Sequence, residues 1–387
     1  MKKLLTFLSA LICGLLVIRG TINMTDTAGG EGTFVIDPSN TITFSGEEAR
    51  KGILEEAFKK PAVTRFCTVV GDIKAKKQIA FLERFSKVTL QDAGCGTGKS
   101  DKLIPMHEKF WEPVPTKIWL TPCWADFQDS FFVWSEKAGL AREDLTNTDL
   151  ADYLMDVIED AALEDLLRMM WFSDKLAAVH GAGGVFKNAT DIQFYDLTDG
   201  FFQQIIAGVA IAAGTWGHIP NSPIAQNALA SYNAQMSLNA GQSLTIFRNL
   251  ITNADRRLLQ HPERMIICTQ SIFDNWADYK ESKVLESSFK NEDTQLWEGK
   301  YRSTPIIPFP LWDQYIQGDQ HNGTKYNKPH RAVLTVPQNL QVGFCSPEST
   351  TKFIAFLDEV TELYHIKAGY KFDTVLMQAY LTSVAGF

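Results

Sequence analysis

The stretch TNTDLADYLMDVIEDAALEDLLRMMWFSDKLAAVHGAGG, Thr146 to Gly184, constrains the fold more than any other part of the chain. Thr146, Asn147 and Thr148 supply capping side chains at its start, and Gly181, Gly183 and Gly184 supply a stop. Leu150, Leu154, Val157, Ile158, Ala161, Leu166 and Met170 recur at helical spacing between them. The spacing predicts one helix from Asp149 to His180, roughly 48 Å long at 1.5 Å per residue. Ordinary helices run about 11–12 residues. A helix of this length acts as a spine on which other elements are laid. Its acidic residues (Asp152, Asp156, Glu159, Asp160, Glu164 and Asp165) have no His or Cys among them, so they read as a solvated or partner-facing side rather than metal ligands.

The rest of the 387-residue chain is unevenly furnished with core. An apolar fraction of 45% is enough for two or three domains, or for one large elaborated one. Residues 24–63 are thinly apolar and read as an arm. Residues 64–135 carry strand-like segments (TRFCTVV, KIWLTP, SFFVWS) broken by Gly and Pro, and read as a long β-excursion with too little core to fold alone. Trp111, Trp119, Trp124 and Trp134 lie in this excursion.

After the spine come two further helical segments, LTDGFFQQIIAGVAIAAG and GQSLTIFRNLITNADRRLLQ. The first is expected to be capped by Thr198 or Asp199 and stopped by Gly214. HPERMIICT then reads as a buried strand, and QSIFDNWADYK as a helix capped by Ser271. This helix–strand–helix unit marks an α/β domain over 200–330, and the C-terminal stretch returns to strand patterns. The fold class is α+β. No repeat and no low-complexity segment is present.

Charge and motifs exclude several functions. The formal charge of -8 argues against a phosphate-clamping surface as the chain's main task. Six scattered cysteines without a CxxC pair read as reduced thiols. LQDAGCGTGKSDKLIP spells a loose nucleotide-binding P-loop through Ala93, Gly98, Lys99 and Ser100. A working P-loop opens a helix at its Lys-Ser, yet Pro105, Pro113 and Pro115 follow, and no acid-ending apolar strand appears downstream. The glycines are better explained as a loop tip that tolerates positive φ. No histidine has a partner at metal spacing, and no G-x-S-x-G elbow offers a nucleophile. Neither a cofactor nor an enzymatic activity is expected.

The first residues pull in another direction. Lys2 and Lys3 precede an apolar run from Leu4 to Ile18, the layout of a signal peptide. As a helix the run reaches about 22 Å, short of a ~30 Å hydrocarbon core. Val17, Ile18 and Arg19 stand where cleavage needs small residues, and Met24 offers an alternative start. An exported β-rich protein is therefore the competing reading, with a nucleotide-using protein third.

The order of parts is similar to that of the major capsid proteins of tailed bacteriophages: N-arm, E-loop, P-domain with its spine helix, A-domain. YRSTPIIPFPLWDQYI resembles the family's A-domain segment with its aromatic-acid pair, here Trp312-Asp313. HRAVLTVPQNLQVGF resembles the strand that follows, and AGYKFDTVLMQAYLTSVAG the closing strands. LQDAGCGTGKSDK together with FWEPVPTKIWLTPCWADF is similar to an E-loop region of such capsid proteins, with one Cys in the loop and another beside the returning strand.

The resemblance implies an N-arm at 24–63, an E-loop at 64–135, a P-domain at 136–199 and 331–387, and an A-domain at 200–330. It leaves the apolar leader at 1–23 outside the pattern. It further implies a structural subunit that assembles with itself into hexamers and pentamers of an icosahedral virion shell. Scaffold and portal would be its partners, it would enclose double-stranded DNA without reading its sequence, and it would use no membrane. Trp111, Trp119, Trp124, Trp134, Trp312 and Asp313 are the candidate subunit-interface residues, because buried aromatics dominate interface hot spots.

Overall fold

The structure, a computed structural model, describes residues 42–43, 61–71, 73, 75–82, 106–121, 161–182, 191–282, 289–290, 297–345, 354–358 and 363–387. In chain order its strands begin with β1 (Ile42–Thr43), β2 (Thr68–Val70), β3 (Lys77–Leu82), β4 (Met106–Trp111) and β5 (Val114–Leu120). They continue with β6 (Asn221–Ser222), β7 (Met265–Cys268), β8 (Phe289–Lys290), β9 (Trp297–Tyr301) and β10 (Thr304–Pro308). The last are β11 (Ala332–Thr335), β12 (Leu340–Cys345), β13 (Ile354–Asp358), β14 (Leu363–Leu376) and β15 (Ser383–Ala385). The main helical segments are α1 (161–172), α2 (Ala177–Ala182), α3 (Phe201–Ala210), α4 (Gln242–Asn253), α5 (Gln270–Ser282) and α6 (Pro310–Gly318).

One sheet runs β6-β15-β11-β7-β10-β9-β8. Successive side chains on a strand point to opposite faces, and here both faces are buried. Met265 and Ile267 of β7 enter a core shared with α1, α3 and α6. Ile266 and Cys268 enter a second core with Ile246, Phe247 and Leu250 of α4 and Ile272, Phe273 and Trp276 of α5. The neighbouring strands divide in the same way, Val333 against Leu334 and Ile307 against Ile306. Two-sided burial is why MIIC and AVLT read as unbroken apolar runs. β11 and β15 belong to this sheet, so it crosses the boundary expected at residue 330.

A second sheet is organised on the long strand β14, which pairs antiparallel with β13, β12 and β5. β2 adds parallel to β12. The excursion is therefore bound to the body of its own chain at both described ends, contrary to the expectation of a limb with no home. Val63, Phe66 and Cys67 lie in the main core, with Phe66 edge-on to Phe309 at 4.8 Å. Among the described residues, only β3 and β4 form a separate two-stranded ribbon. Both cysteines described as free, Cys67 and Cys268, are buried, and burial pushes the Cys67 thiol up to about 12.

The spine is shorter at its C-terminal end than the periodicity predicts. Residues 149–160 lie outside the described residues, and the helix ends at 172 rather than at His180. Asp174 ends it by taking other partners. Its backbone N–H donates to the Tyr195 carbonyl (2.9 Å), and its Oδ1 accepts from the Leu176 N–H (2.8 Å), which starts α2 in a new direction.

The start of α3 also departs from expectation. Its cap position is Gly200, because Thr198 Oγ1 donates instead to Asp373 Oδ1 (2.8 Å). Its last residue is Ala210, ahead of Gly214.

Candidate assembly surfaces

The alternation of MHEKFW sorts β4 into two faces. His107, Lys109 and Trp111 turn toward the body, while Met106, Glu108 and Phe110 turn outward. The inward face is anchored three times. His107 stacks on Trp216 at 4.2 Å between ring centroids. Lys109 Nζ donates to the Leu376 carbonyl (2.5 Å) and lies 5.8 Å from the same Trp216 ring. Trp111, 4% exposed, packs with Ile73 and Val375 directly over Gly343.

The root of the ribbon is also charged. Glu112 receives Lys76 Nζ at 2.6 Å and Lys175 Nζ at 3.4 Å, and these lysines hold its carboxyl below its ordinary value. The Glu112 backbone N–H donates to Asp373 Oδ2 (2.6 Å), whose carboxyl is pushed up by burial.

Large apolar side chains are exposed on β4, beside Glu108, and on β5. Met106 is 66% exposed and Trp119, on β5, is 51% exposed, with Phe110 and Leu120 exposed as well. Lys117 and Lys367 each place an ammonium 4.6 Å from the Trp119 ring, fixing it face-on between two cations.

The sequence-predicted interface residues thus separate. Trp119 is at the surface. Trp111 lies inside its own chain, because Gly343 leaves the room its indole fills. Trp312 is fully buried, edge-on to Trp171 at 4.7 Å and to Phe202 at 4.7 Å, and has no surface to offer a neighbour. Asp313 is engaged within the chain: its Oδ2 accepts from the Gln270 N–H (2.7 Å) at the start of α5. It supplies the cap expected from Ser271, whose hydroxyl is paired with His330 Nδ1 (2.7 Å) instead. Trp124 and Trp134 lie outside the described residues, as does the glycine-rich loop. Seven residues beyond Lys99 the chain is already in strand β4.

His107, Lys109 and Trp216 are residues the sequence reading missed. The alternation of MHEKFW could have marked the first two as one face, but nothing local names Trp216 as their partner. Among the described residues there is no cluster of three His, Cys, Asp or Glu able to hold a metal ion, and no helix long and apolar enough to cross a membrane.

No protein-family model and no curated protein matches the chain. Solved structures do. A chain of the satellite phage P4 procapsid, in a structure that includes the size determination protein, aligns with 100% of this chain and 97% of its own length. Its TM-score is 0.51 at 10% identity. The cyanophage A-1(L) capsid asymmetric unit covers 90% of this chain and 96% of its own, at TM-score 0.46 and 12% identity. An encapsulin complex from Synechococcus elongatus covers 84% and 87%, at TM-score 0.44 and 8% identity. The fold of this chain is the one found in phage major capsid chains. At 10% identity to the procapsid chain the likeness establishes the fold, spanning the whole length of this chain.

Proposed function

We propose that this chain is the major capsid protein of a tailed bacteriophage, assembling with itself into the hexamers and pentamers of an icosahedral shell that encloses double-stranded DNA. In this reading it is made in the host cytoplasm, meets scaffold and portal during assembly, and acts as a structural subunit rather than an enzyme.

The observation that carries the reading is the full-length correspondence with the procapsid chain. The ribbon and β5 support it. The ribbon's inward face lies on the chain's own body, while Met106 and Phe110 of β4 and Trp119 and Leu120 of β5 leave apolar surface for a neighbour. The acidic balance suits an inner wall along which packaged DNA slides. Strong salt-dependent DNA binding by the free subunit would count against that part.

The test is to express the chain alone and image it by negative-stain microscopy, with the nucleic acid content of any particle measured alongside. Closed particles, sheets or capsomer rings are expected. Dispersed single molecules at high concentration would overturn the reading. So would ATP hydrolysis that Lys99→Ala abolishes, in favour of a nucleotide-using enzyme.

A further inference from the structure

A cavity of about 210 Å³ lies where α1 ends against α3 and the loop after α6. Phe172, Ser173, Phe202, Gln320, Lys328 and Arg331 line it.

Arg331 stands just before β11 and is 2% exposed. Its Nε–H donates to the Lys328 carbonyl (3.0 Å), and Nη2 donates to Gln320 Oε1 (3.1 Å) and the Asn327 carbonyl (2.8 Å). These bonds occupy Nε and Nη2. Nη1 has no hydrogen-bond partner among the described residues, and no described carboxylate forms an ion pair with this cation. The Phe202 and Phe172 rings lie 4.6 Å and 5.7 Å from it, and they offset only part of the cost of burying its charge.

Lys328, half-buried beside Arg331, is a second cation without an ion pair among the described residues. It sits at φ 50, a left-handed conformation that a small turn residue adopts with less strain. Burial pulls Arg331 down to about 9, against the opposing charge of Asp313, and burial followed by the charge of Arg331 pulls Lys328 below its usual range. Ser173 is fully buried with a hydroxyl that has no hydrogen-bond partner among the described residues. The cavity's one lining carboxylate, Asp174, accepts the Leu176 N–H and pairs with neither cation. Asp313 acts on Arg331 only through space, being bound to Gln270.

We propose that this cavity is an oxyanion site, in which Arg331 Nη1 and Lys328 bind a carboxylate or phosphate group. The group has two possible sources. One is a side-chain carboxylate inserted by a second copy of the chain, which rests on the shell reading. The other is free inorganic phosphate, which does not.

The first arm is a calorimetric titration of the unassembled full chain with inorganic phosphate at matched ionic strength. Saturable binding with one site per chain is expected. Lys328→Asn, which suits the left-handed backbone, should weaken it about tenfold, the worth of one charge-assisted hydrogen bond. Lys99→Ala should leave it unchanged, excluding the glycine-rich loop as the binding place. Arg331→Lys, which keeps the charge but loses the fork, should also weaken it.

The second arm follows assembly yield. If a neighbour's carboxylate is the occupant, phosphate suppresses assembly of the wild type near its own Kd, and Lys328→Asn assembles poorly and is indifferent to phosphate. If free phosphate is the occupant, it leaves assembly intact or aids it. Absence of saturable phosphate binding, or equal affinity in wild type and Lys328→Asn, overturns the proposal even where shells form normally.

Discussion

The carboxylate of Asp313, on α6, accepts a 2.7 Å hydrogen bond from the backbone N–H of Gln270, the first residue of α5. A helix start leaves its first N–H groups without intrahelical partners, and here one is satisfied from a different helix. Asp313→Ala should therefore destabilise the subunit by about 1–2 kcal/mol, as removal of an N-cap does.

The same carboxyl is pushed up to about 6, chiefly by burial, with its backbone hydrogen bonds opposing. In the unfolded chain it ionises near pH ~3.9. As pH rises from about 4 to 6 the unfolded state loses this proton first, so the group's contribution to stability falls, by on the order of 3 kcal/mol, and levels off above. Asp313→Asn keeps an acceptor and removes the titration. Urea unfolding at pH 4 to 7 should show the Asn variant gaining on wild type through that window. A constant difference between the two would mean the carboxylate is ionised throughout.

Trp111 and Gly343 make the second test. A Cβ on Gly343 would lie 2.6 Å from Trp111 Cζ3 and 2.5 Å from Ile73 Cδ1. Gly343→Ala should cost about 1–3 kcal/mol through overpacking. Trp111→Ala, which empties the same site, should cost about 3–5 kcal/mol. Both losses are expected in thermal unfolding of the unassembled chain, before any question of assembly arises. If Trp111→Ala unfolds like wild type, the ribbon is not held by this indole.

Trp119 should behave in the opposite way. Its ring is half exposed between Lys117 and Lys367, so Trp119→Ala removes little beyond cation–π attraction and should cost the subunit about 1 kcal/mol. Particle yield should fall much further, since an aromatic anchor in a closed interface is worth about 2 kcal/mol or more per contact and is repeated around the shell. Sedimentation of assembled against free chain separates the two effects. Unchanged assembly by Trp119→Ala would remove this face from the interface.

The contrast between these tryptophans shows where sequence reading succeeds and where it stops. Local pattern carried the buried strands: MIIC and AVLT are apolar because both faces of their sheet are covered. It also carried the helices α4 and α5, whose spacing is local. Trp111 and Trp119 looked alike because both are tryptophans of the same β-excursion. What distinguishes them is Gly343, over two hundred residues away and opposite only after β12 and β14 have paired. The end of the spine failed for the same reason, since Asp174 leaves the helix to meet Tyr195. Trp312-Asp313 was found by resemblance and placed at an interface, while the fold uses it as a core ring and a helix cap. Arg331 gave no signal at all, because an arginine before a strand reads as an ordinary surface residue until its burial is seen.

Lys109 supplies the last prediction. Its ammonium is drawn inward to the Leu376 carbonyl at 2.5 Å, and burial pulls its pKa down to about 8. In the unfolded chain it holds its proton to about pH 10.4. Between these values the folded state has released a proton that the unfolded state still binds, so stability rises with pH, by on the order of 3 kcal/mol from pH 8 to above 10. The strain of the buried charge is fully present below pH 8. Lys109→Met keeps the length of the side chain and removes the charge, at the cost of one hydrogen bond. The urea midpoint of wild type should therefore climb toward that of Lys109→Met, or past it, as pH is raised from 7 to 10. Parallel pH curves for the two proteins would show that the ammonium reaches water and that β4 lies less tightly on the body than the structure has it.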